Sequence, residues 1–157
     1  MLPYFSGERT PIHDPHAKGV IFGLNLTHGR GDLYRALLEG IACGTNHIIE
    51  TYRDIGQTPK NLLAVGGGTK NKVWSQATSD ISGMTQSVCA KTIGACYGDA
   101  FLAALAIGDV KRTDILAWNP EERRIAPDRK NRAVYDRTYR VFKDLYGHTK
   151  ILMAELS

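Results

Sequence analysis

The 157-residue chain has few of the features that assign a sequence at sight. No run approaches the eighteen apolar residues that a bilayer span needs, so no membrane segment is expected. Met1-Leu2-Pro3-Tyr4-Phe5-Ser6-Gly7-Glu8-Arg9 has no basic start followed by an apolar stretch, which predicts no secretory signal there. Cysteine is scarce and odd in number. Cys43, Cys89 and Cys96 form no C-x-x-C pair, which argues against a disulfide framework and predicts a reducing, cytoplasmic setting with buried structural thiols. G-x-G-x-x-G, G-x-x-x-x-G-K-[ST] and G-x-S-x-G are all missing, so the usual dinucleotide, P-loop and serine-hydrolase signatures fail. His13-x-x-His16 and Cys43-x-x-x-His47 gain no third ligand at a familiar spacing, and no metal site is expected. Glu8, Asp14, Asp32 and Glu39 are scattered. Asp32 and Glu39, two turns apart on one helical face, suit solvent or capping better than acid–base chemistry.

What is present describes an ordinary globular chain. Its 17.3 kDa, 43% hydrophobic and 23% charged residues suit one domain and exclude intrinsic disorder. The net charge of +4 is unevenly placed. Residues 1–110 hold nine basic and nine acidic residues, whereas ten of the twenty basic residues lie between 111 and 143. A nucleic-acid module would spread its cations differently, so Arg123, Arg124, Arg129, Lys130 and Arg132 read as part of a solvated, salt-bridged face rather than a nucleic-acid site.

Residues 1–18 carry three of the six prolines and no apolar period, which predicts an arm lying on other structure. Gly19-Val20-Ile21-Phe22-Gly23-Leu24 reads as a short strand. From about Asp32 to Asp54, Leu33, Leu37 and Ile41 step by four, with Thr27 or Asp32 as the cap and Gly56 as the stop. Gly40 and Gly44 inside this helix predict close packing against another element. Asn61–Val65 reads as a buried strand, followed by a helix with Trp74, Ala77 and Ile81 in step and Gly83 at its end. Thr85–Ala90 reads as a second strand, Gly94 opens an alanine-rich helix that stops at Gly108, and a polar connection follows. The last helix, from about Lys130 to Tyr146, carries Val134, Thr138, Val141 and Leu145 in one stripe. Tyr135, Tyr139, Phe142 and Tyr146 make the adjacent one. The fold class is therefore α/β.

One constellation stands out. Gly66-Gly67-Gly68-Thr69-Lys70-Asn71 lies between a strand and a helix, where glycine permits positive φ and close backbone approach and the helix N-terminus favours an anion. A glycine triplet alone is equally a tight turn; its place after an apolar strand raises the nucleotide-phosphate reading.

The order of motifs resembles the C-terminal domain of the FGGY carbohydrate kinases, xylulokinase-like members in particular. The resemblance runs through Leu2-Pro3-Tyr4-Phe5-Ser6-Gly7-Glu8-Arg9-Thr10-Pro11, Asp14-Pro15, Gly19–Leu24 and Asp32-Leu33-Tyr34-Arg35-Ala36-Leu37-Leu38-Glu39-Gly40. It continues through Gly66-Gly67-Gly68 with Asn71 and Trp74, Asp80-Ile81-Ser82-Gly83, and Gly94–Ala100, covering about the first 108 residues. It implies part of an actin-like, ribonuclease-H-like ATPase domain, with residues 1–157 as one C-terminal piece: an arm over 1–18, an α/β core over 19–108, and a connection and helix over 109–157. In such kinases ATP and sugar meet between two domains, and a sugar hydroxyl receives the γ-phosphoryl group.

The resemblance implies that Gly66, Gly67 and Gly68 let the backbone approach ATP, and that Asn71 hydrogen-bonds near its adenosine end. It places the Gly94–Ala100 helix start behind that site and Glu8 and Arg9 in a bracing loop. Cys96 and Tyr97 are bulkier than the residues usual there. The resemblance implies that the catalytic aspartate, the first phosphate loop and most of the sugar pocket belong to the N-terminal half. It implies too that the second phosphate loop, at the start of the C-terminal domain, is absent here, and that the complete kinase uses ATP and Mg2+. Phosphoryl transfer needs these together, so the resemblance implies an inactive chain in isolation. The rival reading is a non-catalytic interaction module with an actin-like half-fold, whose bare face leaves room for a homodimer. No nucleic-acid or membrane partner is expected.

Overall fold

The computed structural model describes residues 1–157. Helix α1 (Arg30–Asp54) starts at Gly29, whose N–H donates to Asp32 Oδ2 at 2.8 Å. Asp32 therefore caps from inside the first turn, while Thr27 bonds to Asn25 instead and caps nothing. At the other end Gly56 takes φ +75°; its N–H reaches Arg53 O and the Gln57 N–H reaches Tyr52 O, the paired bonds of a Schellman stop. The buried stripe of α1 runs through Leu38, Ala42, Cys43 and Ile49, one position away from the expected Leu33–Leu37–Ile41 line, which is half-buried. Gly40 is there for close approach: a Cβ would lie 2.6 Å from Met1 O. Gly44 faces open space, contrary to expectation.

Strand β1 (Leu62–Ala64) is followed by a 3₁₀ turn (Gly67–Lys70), helix α2 (Lys72–Ser82) and strand β2 (Gln86–Cys89), which pairs parallel to β1. Strand β1 is shorter than read and not buried, with Leu63 and Val65 exposed. Helix α2 is buried nearly all round although it is rich in Ser and Thr. Its hydroxyls are satisfied internally, Thr78 Oγ1 on Trp74 O, Ser82 Oγ on Thr78 O, and Ser79 Oγ on Ile125 O. Helix α3 (Ala95–Ala106) buries only Phe101, and Gly108 stops it as expected. A short helix α4 (Ile115–Trp118) precedes strand β3 (Glu121–Ile125), which pairs antiparallel to β2 and gives the sheet order β1-β2-β3. Helix α5 (Arg132–Glu155) extends nine residues beyond the expected Tyr146.

The core gathers Leu2, Tyr4 and Ala17 of the arm with Ala42, Cys43, Ala77, Ile81, Tyr135, Phe142 and Met153. The arm does lie on other structure, with Tyr4 edge-on to Phe142 and Tyr146 and the Tyr146 hydroxyl donating to Asp14 at 2.8 Å. The stripe of α5 that faces this core is the tyrosine one; Val134 and Val141 of the adjacent stripe are exposed. The Gly19–Leu24 segment is not a strand. A single antiparallel bridge joins Val20 to Leu2, no neighbouring strand completes a ladder, and Ile21, Phe22 and Leu24 are exposed. No helix is long and apolar enough to cross a membrane.

Candidate functional site

The glycine turn hangs from the end of β1 and runs into α2. Gly66 takes φ +83°, a region that suits glycine alone, and redirects the chain out of the strand. Thr69 ties the turn together: its hydroxyl and its N–H both donate to Gly66 O, at 2.8 and 3.3 Å. Asn71 caps α2, its Oδ1 accepting from the Trp74 N–H at 3.1 Å, while its Nδ2 donates to the Tyr34 hydroxyl at 2.9 Å. The first turn of α2 thus presents N–H groups that helix geometry leaves without intrahelical acceptors.

The three glycines differ in what they do. A Cβ on Gly68 would fall 2.7 Å from the Trp74 ring, so this glycine admits an indole that folds back under the turn. Cβ atoms on Gly66 or Gly67 would meet nothing within 4 Å. Open space therefore lies beside these two backbone units, and Gly68, Trp74, Thr69, Leu62 and Thr45 line a hollow of about 290 Å³ next to the turn. Sequence reasoning grouped the three glycines and Asn71 together. The structure brings them together too, but Asn71 is committed to capping, and Gly68 to Trp74.

Two residues of the site had escaped the sequence reading. Tyr34 supplies the acceptor for Asn71 from α1, and Arg123 donates to Thr69 O at 2.6 Å from β3, a strand read as polar connection. No spacing rule links residues 37 and 54 positions away to the turn; only the folded sheet does.

The remaining candidates lie elsewhere. No group of three His, Cys, Asp or Glu side chains converges as a metal site. Cys43 is buried, and burial pushes its thiol up to about 12. Cys96 corrects the expectation of buried thiols, because it is exposed. Burial lowers the His47 pKa, and its Nδ1 lacks a partner. Glu39 accepts from Arg35 and from the Tyr135 hydroxyl, joining α1 to α5. Glu8 and Asp14 pair through their backbones within the arm. The start of α3 packs Tyr97 against Trp118, and the Tyr97 hydroxyl donates to Trp118 O; no hydrogen bond joins it to the glycine turn. Of the basic residues between 123 and 132, Arg124 pairs with Glu121 and Arg132 with Asp136.

Comparison with known proteins places this geometry. The family model described as the FGGY family of carbohydrate kinases, C-terminal domain, matches residues 1–107. Xylulose kinase of Escherichia coli K12 is 37% identical over 157 residues, covering 98% of this chain and 32% of that protein. The crystal structure of xylulose kinase from Rhodospirillum rubrum superposes with a TM-score of 0.81 at 37% identity, over 97% of this chain and 30% of that one. The crystal structure of Plasmodium falciparum glycerol kinase with ADP superposes with a TM-score of 0.73 at 29% identity, over 92% of this chain and 29% of that one. The chain thus spans about a third of the length of the relatives it matches. The ordered motifs, the actin-like, ribonuclease-H-like ATPase fold of its structural neighbours and the family match over two thirds of the chain agree: this chain belongs to the FGGY family of carbohydrate kinases and corresponds to its C-terminal domain.

Proposed function

We propose that this chain forms the nucleotide-holding side of an ATP-dependent sugar kinase, which transfers the γ-phosphoryl group to a hydroxyl of a pentulose-like sugar or related polyol. The observation that carries the reading is the open backbone at Gly66 and Gly67, where no side chain of the protein fills the space a Cβ would take. A turn with open backbone at Gly66 and Gly67, at the start of an eleven-residue helix, suits the sugar–phosphate portion of a nucleotide, which needs close approach and N–H donors. The names carried by its relatives, xylulose kinase and a glycerol kinase bound to ADP, support the same chemistry. The turn supplies no carboxylate set for Mg2+, so a magnesium ion would arrive with the nucleotide phosphates and take further ligands from the rest of the enzyme. The catalytic base and the sugar pocket belong to the remaining two thirds of such a kinase, so the chain by itself binds without turning over.

The test exploits the difference between the glycines. Gly67→Val places a side chain in open space, leaving the fold intact while blocking ligand approach. Mg-ADP at a hundredfold excess over Kd should stabilise the unmodified chain by about 2.7 kcal/mol in thermal unfolding. Gly67→Val should lose that response at an unchanged ligand-free Tm. An equal response in the variant would remove the nucleotide from this turn.

A further inference from the structure

We infer that Arg123 is a positioning residue for the nucleotide turn, holding it from the side opposite to the ligand. The inference rests on the nucleotide reading of that turn and adds to it the part that sets its shape. Arg123 pairs with Val88 across β2 and β3, and Val88 pairs with Ala64 across β1 and β2. The three lie in one row, so their side chains share a face of the sheet. Val88 is 1% exposed, and its strand-mate Gln86 on the same face donates to Ser75 O and Ser79 of α2. That face is therefore the one covered by α2. The Arg123 side chain runs along it to reach Thr69 O with Nη2 at 2.6 Å.

Two further observations give this contact its weight. Arg124 and Arg132 meet acids, Glu121 and Asp136, whereas the single side-chain hydrogen bond of Arg123 goes to the carbonyl of the turn. Thr69 is also the knot of the turn. Its hydroxyl and N–H hold Gly66, and its carbonyl is held by Arg123, so strain or slack at position 69 passes directly to Gly66 and Gly67. Those glycines have no side chain to anchor them. Their placement depends on this tie, and a charge-assisted bond from a guanidinium is the strong kind available. Arg123 does not touch the open side of the turn; it acts through Thr69.

The experiment compares Arg123→Ala, Arg123→Lys and, as a matched control from the same strand, Arg124→Ala. Amide hydrogen exchange without ligand reads the tie, and Mg-ADP titration followed by amide NMR shifts reads its consequence. Arg123→Ala should speed exchange at Thr69 to Asn71 and leave α5 unchanged, and weaken Mg-ADP by about tenfold. Arg123→Lys should restore part of both, and Arg124→Ala should change neither. Equal exchange and equal affinity in the two alanine variants would overturn the role of Arg123. If Arg123→Ala does not fold, Arg123→Lys decides: unchanged exchange and affinity in it overturn the bidentate-capable guanidinium as the positioning group, and a partial loss in both supports it. Absence of Mg-ADP shifts at Gly66–Asn71 in the unmodified chain overturns the nucleotide reading itself, and with it the positioning role, whatever the exchange data show for the tie.

Discussion

The glycine triplet divides its work residue by residue, and the division can be measured. Gly68→Ala forces a methyl into the Trp74 ring and should cost about 1–3 kcal/mol in urea unfolding, as overpacked sites do. Gly67→Ala should change stability by no more than about 0.5 kcal/mol, because its methyl meets nothing. Equal costs at the two positions would mean that the ring does not pack beneath the turn. Asp80 makes a similar case on the buried side of α2. It is 3% exposed and accepts from Gln76 Nε2, the Asp128 N–H and Asn131 Nδ2 at 2.7, 2.7 and 2.8 Å. Asp80→Ala strands three donors and should cost about 3 kcal/mol or more; a loss below 1 kcal/mol would show that water replaces the carboxylate without penalty. The sequence made the triplet visible as a unit, since strand, glycines and helix follow one another. It could not apportion the roles, because Trp74 reaches Gly68 only after α2 has formed and Asn71 becomes a cap only when Trp74 offers its N–H.

Elements were legible where a local signal starts or stops them. Gly56, Gly83 and Gly108 end their helices as expected because each supplies a positive φ at a helix end. Signals that depend on distant partners were missed. Glu121-Glu122-Arg123-Arg124-Ile125 reads as charged connection, yet it is an edge strand on which charge deters further pairing. The apolar stripes read from the sequence stop at Tyr146, but α5 continues until Met153 docks into the core, where its sulfur accepts from the Lys18 N–H. Between α1 and α5 lies a cluster with a pH signature. Glu50 accepts from the Tyr139 hydroxyl at 2.7 Å and Lys143 Nζ at 2.9 Å. Burial would raise the Glu50 pKa, but these two bonds outweigh it and hold the carboxyl below its ordinary 4.5; burial lowers His47 below its ordinary 6.5. Both folded-state values are depressed, so both groups bind protons more readily in the unfolded chain. The contribution of this cluster is fully present well above pH 6.5, declines first as His47 protonates in the unfolded chain, and declines again as the pH falls through 4.5 and Glu50 does the same. His47→Gln should flatten the first limb and Glu50→Gln the second, read as urea midpoints against pH. Superimposable profiles would remove the cluster as a source of the acid response.

At the scale of the whole molecule, surface area carries the argument. A folded monomer of 17.3 kDa exposes about 7,800 Å², whereas this chain exposes 10613 Å², roughly a third more. Exposed apolar side chains cluster in several places, among them Ile151, Leu152 and Leu156 at the end of α5. Leu63 stands on β1 and Val65 just after it, Leu102 lies on α3 with Ile93, Ile107 and Leu116 near its ends, and Phe22, Leu24 and Leu26 line the segment before α1. An FGGY kinase about three times as long has ample chain to cover such surfaces, and the sheet of three strands with an unpaired β1 edge is the natural place for further strands to join. The sequence hinted at this bareness only through the family resemblance, because composition reports how much apolar surface exists and not where it lies. Left uncovered, these surfaces should bind one another. In sedimentation, the weight-average mass of the chain should rise above 17.3 kDa with concentration, and its fluorescence with 8-anilinonaphthalene-1-sulfonate should exceed that of a closed domain of equal size. Leu63→Lys on β1 with Val65→Lys just after it should reduce the association without altering the core, which neither side chain enters. A monomeric mass at every concentration together with background dye fluorescence would mean that the exposed side chains close over one another in solution and that the chain needs no covering partner.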